Sequence, residues 1–147
     1  MAITFSYSDR RIRIGQKRII KQFISLVFNM EETPLRSLNY VFCSDEYLLG
    51  INQKFLKHDF YTDIITFDLR SNVHEPVTGE IYISIDRVKD NCINHKTSYE
   101  EELLRVIFHG ALHLCGFKDK RKSEILLMRQ KEAQYLRLYN ESKIRST

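Results

Sequence analysis

Apolar residues recur along this 147-residue chain with two different periods, and the switches between them divide it into elements. Residues 2–8 (AITFSYS) alternate loosely and predict a short strand. Between Ile14 and Asn29, Ile20, Phe23, Ile24, Val27 and Phe28 fall at helical spacing, with Lys17, Arg18 and Lys21 on the other face. The chain turns around Pro34, and Leu38–Cys43 (LNYVFC) predicts a second strand. Ser44 is placed to N-cap a helix running through Tyr47, Leu48, Ile51 and Phe55. Ile64–Phe67 is a β-rich run, and Ser71–Gly79, with Pro76 and Gly79, reads as a loop. Glu80–Ile85 (EIYISI) alternates as a strand with three isoleucines on one face, and helical pattern returns over Asp86–Asn94. Ser98 and Glu101 form a capping box at the head of a long, strongly apolar helix that Gly116 should end. A final helix covers about Ser123 to Tyr139, with Ile125, Met128, Leu136 and Tyr139 inward. This order predicts one α+β domain over residues 1–147, a small mixed β-sheet packed with about five helices.

Composition narrows the class. Hydrophobic content of 43% and charged content of 29% suit a globular protein with a sizeable core. No apolar run approaches the roughly 20 residues that span a bilayer, and Met1–Arg18 lacks the basic-then-apolar order of a signal peptide. The expectation is a cytoplasmic protein without a membrane partner. Cys43, Cys92 and Cys115 are widely spaced and form no CxxC pair, which excludes a zinc ribbon and a disulfide framework. A net charge of +4 mildly favours acidic partners, nucleic acid first.

Candidate chemistry concentrates in Arg105–Lys120, RVIFHGALHLCGFKDK. His109 and His113 are i and i+4 on the predicted apolar helix, so their imidazoles stand about one turn apart on one face. Gly116 lets the chain fold back, and Asp119 is the first strong ligand it then offers. Two imidazoles and a carboxylate make a three-ligand set for one Zn2+ per chain at the end of the central helix. The fourth position is left to water, whose pKa the ion can lower to about 7. HxxxH on an apolar helix can also be two core histidines, but buried imidazoles need partners, and the carboxylate after the helix-ending glycine supplies one.

The segment HGALHLCGFKD resembles the signature of the YbeY family, His-Gly-x-Leu-His-Leu-x-Gly-(Tyr/Phe)-x followed by a third ligand. Asn52–Phe67 (NQKFLKHDFYTDIITF) is similar to that family's Asn-x-x-Tyr/Phe…Asp-x-x-Thr-Asp-(Val/Ile)-(Leu/Ile)-(Ser/Thr)-Phe segment. Gly79–Ser84 resembles its Gly-Asp/Glu-Ile-x-Ile-Ser strand, and Met128 with Glu132 its closing helix, so the likeness spans about Leu48 to Glu132. It implies a zinc-dependent, single-strand-specific endoribonuclease acting in ribosomal RNA maturation, at the 3′ end of the small-subunit RNA, and in ribosome quality control. The implied partners are ribosomal RNA and ribosomal particles. The chain departs from the family pattern at four positions: Asp119 stands where a third histidine is commoner, Leu56 for arginine, His58 for lysine and Tyr61 for proline.

Several residues carry weaker claims. Arg105, one turn before His109, could contact phosphate or pair with Glu101. Glu80 could support a histidine, act as a general base, or be an exposed strand-end charge. If the family arginine handles phosphate, Lys54, Lys57 or His58 must substitute. The basic residues Arg10, Arg11, Arg13, Lys17, Arg18 and Lys21, and the better placed Lys118, Lys120, Arg121 and Lys122, are candidate RNA contacts. Two other functions compete: a ribosome assembly factor whose metal is structural, and a metalloprotease. The protease pattern needs Glu directly after the first histidine, where this chain has Gly110.

Overall fold

The computed structural model describes residues 2–57 and 62–145, with side chains as far as residue 143. In chain order the elements are β1 (Ile3–Tyr7), α1 (Lys17–Met30), β2 (Leu35–Cys43), α2 (Asp45–Leu56), β3 (Ile64–Asp68), β4 (Val77–Ser84), α3 (Ile85–Asn94), α4 (Tyr99–Leu114) and α5 (Lys122–Arg145). The sheet order is β1-β2-β4-β3. β1, β2 and β4 run parallel, and β3 closes one edge antiparallel to β4. This is a small α+β domain with a mixed sheet, the class that the element order predicts.

The two faces of the sheet differ. Leu38, Tyr40 and Phe42 of β2 and Ile81 and Ile83 of β4 are buried in the main core with Val106, Ile107, Phe108, Ala111 and Leu112 of α4. Residues of the opposite parity, Cys43, Ile65, Phe67 and Tyr82, form a smaller cluster with Leu48 and Ile51 of α2. The central helix is thus pressed on one face and α2 on part of the other. Tyr40 anchors α4 to the sheet, its hydroxyl donating to the Ile107 carbonyl across 2.8 Å inside the core.

Two glycines let α4 lie close. A Cβ on Gly110 would come within 2.8 Å of Ile81 Cδ1 and 2.9 Å of Ile64 Cδ1, and one on Gly79 within 2.8 Å of Leu114 Cδ1. Gly79 therefore belongs to β4, not to the loop expected over Ser71–Gly79; the contact with α4, rather than a turn, requires it. Other boundaries also shift. β2 begins three residues early at Leu35, and α1 begins at Lys17 because Gln16 adopts a left-handed φ of 60°. The last helix runs on to Arg145, and its inward stripe is Met128, Glu132, Tyr135 and Tyr139. Ile125, expected inward, is 40% exposed: it lies in the first turn of α5, before the buried part of the stripe begins at Met128.

Candidate metal centre

The site is built where α4 ends. Ser98 caps the helix start, accepting from the Glu101 N–H at 3.1 Å. At the other end Phe117 N–H bonds to the Leu112 carbonyl and Gly116 N–H to the His113 carbonyl, both at 3.0 Å. With Gly116 at a φ of 103°, this is a Schellman closure. It turns the chain so that Asp119 returns over the helix.

Asp119 Oδ2 lies 3.2 Å from Nε2 of both His109 and His113. The ligand atoms of the three residues all lie within 4.8 Å of one another. Each imidazole is held from behind. His109 Nδ1 is 2.5 Å from Glu132 Oε2, and His113 Nδ1 is 2.9 Å from the Phe117 carbonyl oxygen. A carbonyl, and a carboxylate kept ionised, can only accept, so both Nδ1 atoms carry the proton. The two Nε2 atoms then face one carboxylate oxygen, three ligand-type atoms converging on one point. Imidazole and carboxylate are donors that zinc and similar divalent ions accept. The residues fit a metal.

Glu132, 2% exposed, sits at the hub of the supporting network. Burial would raise its pKa, but the His109 hydrogen bond and the charges of His109, Arg105 and Arg129 outweigh this and lower it. Glu132 Oε1 accepts from Arg105 Nη1 and Arg129 Nη1, each at 3.1 Å. The Arg105 guanidinium is further clamped by Glu102 at 2.6 Å, with Asp63 3.7 Å away. Burial works against its charge, yet the Glu102 hydrogen bonds and the Glu132 charge prevail and hold its pKa above the ordinary arginine value.

The three candidate ligands open into a cleft of about 670 Å3 lined by Asn52 and Leu56 of α2, Thr62 to Thr66 and Asp68 along β3, Arg105, Leu114, Lys120 and Arg129. Other residues expected at the site fall differently. Arg105 borders the cleft but pairs with Glu102, i−3, rather than Glu101. Glu80 does not support a histidine: it lies on the sheet face away from α4, where Tyr82 Oη donates to it at 2.5 Å. Lys120 lines the cleft, whereas Arg121 does not. The backbone N–H groups of Lys120 and Arg121 bond to Glu124 Oε1 at 3.2 and 2.9 Å, closing the start of α5. His58 lies outside the described residues. Of the first basic group, Lys17 and Lys21 ride over the Tyr7 and Phe5 rings at 5.4 and 5.0 Å, and Arg10 is 3.6 Å from Asp86.

Glu132, Glu102, Asp63, Thr66 and Arg129 carry no role that residue spacing alone assigns. For Glu132 a signal existed, a carboxylate at an inward position of an amphipathic helix, where an uncompensated charge is costly.

The family model described as Endoribonuclease YbeY matches residues 3–140. An Endoribonuclease YbeY of Cytophaga hutchinsonii is 47% identical over 130 residues, 88% of this chain and 90% of that protein. One from Flavobacterium psychrophilum is 45% identical over 139 residues, 94% and 96% of the two chains. The solution structure of TM1509 from Thermotoga maritima superposes with a TM-score of 0.63 at 26% identity, covering 98% of this chain and 92% of that one.

Proposed function

The chain belongs to the Endoribonuclease YbeY family, and from that premise we propose that it is a metal-dependent endoribonuclease that cuts single-stranded RNA. Its substrate is ribosomal RNA, in maturation of the small-subunit 3′ end and in quality control of ribosomal particles, and it works in the cytoplasm. The observation that carries the reading is the convergence of His109 Nε2, His113 Nε2 and Asp119 Oδ2 at the floor of an open cleft. Zinc suits this donor set, and when bound it supplies a Lewis acid for a phosphoryl oxygen and a more acidic water.

The protein's own groups divide the remaining work. Glu132 and the Phe117 carbonyl hold the two Nδ1 protons and so aim the Nε2 lone pairs into the cleft. Lys120 and the half-exposed Arg129 line the same cleft and can meet phosphates of a bound strand. Arg105 is committed to Glu102 and Glu132, so it stiffens the histidine helix instead of gripping substrate. No helix among the described residues is long and apolar enough to cross a membrane.

The test is cleavage of a single-stranded RNA by zinc-loaded wild type and by His113→Ala, purified identically. Cutting by wild type alone supports the enzyme. Equal cutting by both removes it, and binding to ribosomal particles without cutting favours the second reading, an assembly factor with a structural metal. Leu56, a cleft residue where the family commonly has arginine, is the observation that keeps this second reading. Peptide hydrolysis is disfavoured, because Gly110 is packed against Ile81 and Ile64 where a protease would need a glutamate.

A further inference from the structure

The cleft wall along β3 is a free strand edge. Ser84 N–H bonds to the Asp63 carbonyl at 2.9 Å and Leu69 N–H to the Thr78 carbonyl at 2.8 Å. With Ile65 opposite Tyr82 and Phe67 opposite Glu80, the odd-numbered residues of β3 use their backbone groups on β4. Ile64, Thr66 and Asp68 therefore turn N–H and C=O outward, and among the described residues no strand pairs with that edge. All three line the cleft that holds the histidines. The Ile64 carbonyl accepts from Thr62 Oγ1 at 3.3 Å. The outward backbone groups of Thr66, like those of Asp68, have no partner among the described residues, but Thr66 also carries a buried Oγ1 without a hydrogen bond. A buried hydroxyl is almost always paired, so this unpartnered Oγ1 beside an open strand edge marks Thr66 as the position where a ligand completes the bonding.

We propose that Thr66 reads a nucleobase: its outward N–H and C=O take the Watson–Crick edge of one unpaired base in a strand lying along β3. Uracil matches the pair, its N3–H donating to the Thr66 carbonyl while a flanking carbonyl accepts from the Thr66 N–H. A base within a duplex has already used these groups, so the wall admits only single strands. This rests on the RNA-substrate part of the reading above. An extended peptide could also add to a free edge, but Lys120 and Arg129 in the same cleft favour a polyanion.

The test compares oligouridylate with oligo(N3-methyluridylate), whose pairing edge is blocked, on wild type and Thr66→Pro. Proline removes the outward N–H and no ladder bond. Binding is followed by fluorescence anisotropy with chelator present, and cleavage with zinc-loaded protein. Wild type should bind the methylated strand about tenfold or more weakly, as loss of one bidentate base contact predicts. Thr66→Pro should bind unmodified RNA weakly and ignore methylation. Equal binding of the two RNAs by wild type, or wild-type binding by a folded Thr66→Pro, overturns the inference. Should Thr66→Pro fail to fold, the wild-type comparison alone decides. Discrimination without cleavage keeps the base contact and sinks the nuclease; cleavage without discrimination does the reverse. Hydrolysis of an unstructured peptide but not RNA overturns both.

Discussion

Glu132 Oε2 accepts the Nδ1 proton of His109 across 2.5 Å, a bond that joins the closing helix to a residue 23 positions earlier. It fixes the tautomer, leaving Nε2 as the ligand atom. In Glu132→Gln the side-chain amide can donate to Nδ1 instead, which moves the ring proton to Nε2 and removes the lone pair. Zinc affinity should fall by about 10- to 100-fold, as measured by competition with a chromophoric chelator. An unchanged affinity would show that the bond does not position the ring. The same carboxylate has a lowered pKa. Its contribution to stability is therefore complete above its ordinary value of 4.5 and is lost as pH falls through the folded value. Acid unfolding of the metal-free protein below about pH 4.5 should be less steep in Glu132→Gln.

Leu56 lines the cleft and is 40% exposed. Leu56→Arg places a cation where the family commonly has one, without disturbing a packed core. RNA binding at low salt should tighten, and the slope of log affinity against log salt should steepen by about one. A salt titration checks both; an unaltered slope means the new guanidinium does not reach phosphate.

Gly110 separates α4 from the sheet by the width of a backbone. Because a Cβ there already meets Ile81 Cδ1 at 2.8 Å, Gly110→Val forces the helix off β3 and β4. Overpacking of this kind costs about 1–3 kcal/mol. Denaturant unfolding should show the loss, and metal affinity should fall with it because His109 is the adjacent residue.

Burial, reinforced by Asp9, Asp86 and Asp45, pushes the Cys43 thiol up to about 12, and burial with the Glu31 charge pushes Cys115 up to about 11. Iodoacetamide at pH 8 should modify the partly exposed Cys92 readily in the native protein, the equally half-buried Cys115 more slowly because its thiol pKa is raised, and the buried Cys43 only after unfolding, as mass spectrometry of digests would show. A raised thiol pKa stabilises the fold below the unfolded value and loses that effect above it. Stability should therefore decline as pH climbs from about 9 towards 12. Native labelling of Cys43 as fast as Cys92 would contradict this.

The helix carrying the histidines was legible because i,i+4 spacing is local and because a glycine followed by a carboxylate announces a return of the chain. Ser44 and Ser98 were legible as caps for the same reason, each acting within three residues. What escaped depends on tertiary partners. Glu132 reads as a polar break in the stripe of the last helix until α4 is packed beside it, and Ile125, on that same stripe, is exposed because burial begins only at Met128. The face on which Glu80 stands follows from the register of β4 against α4, which alternation alone does not determine. The β3 edge becomes visible only with the sheet order, since a strand's free side is set by its neighbours.

Translation proceeds from the first helix to the last, so α4 leaves the ribosome before α5. Until α5 packs on α4, the His109 Nδ1 lacks its Glu132 acceptor and the ring is free to turn. Aiming of the first histidine is thus completed by docking of the helix made later.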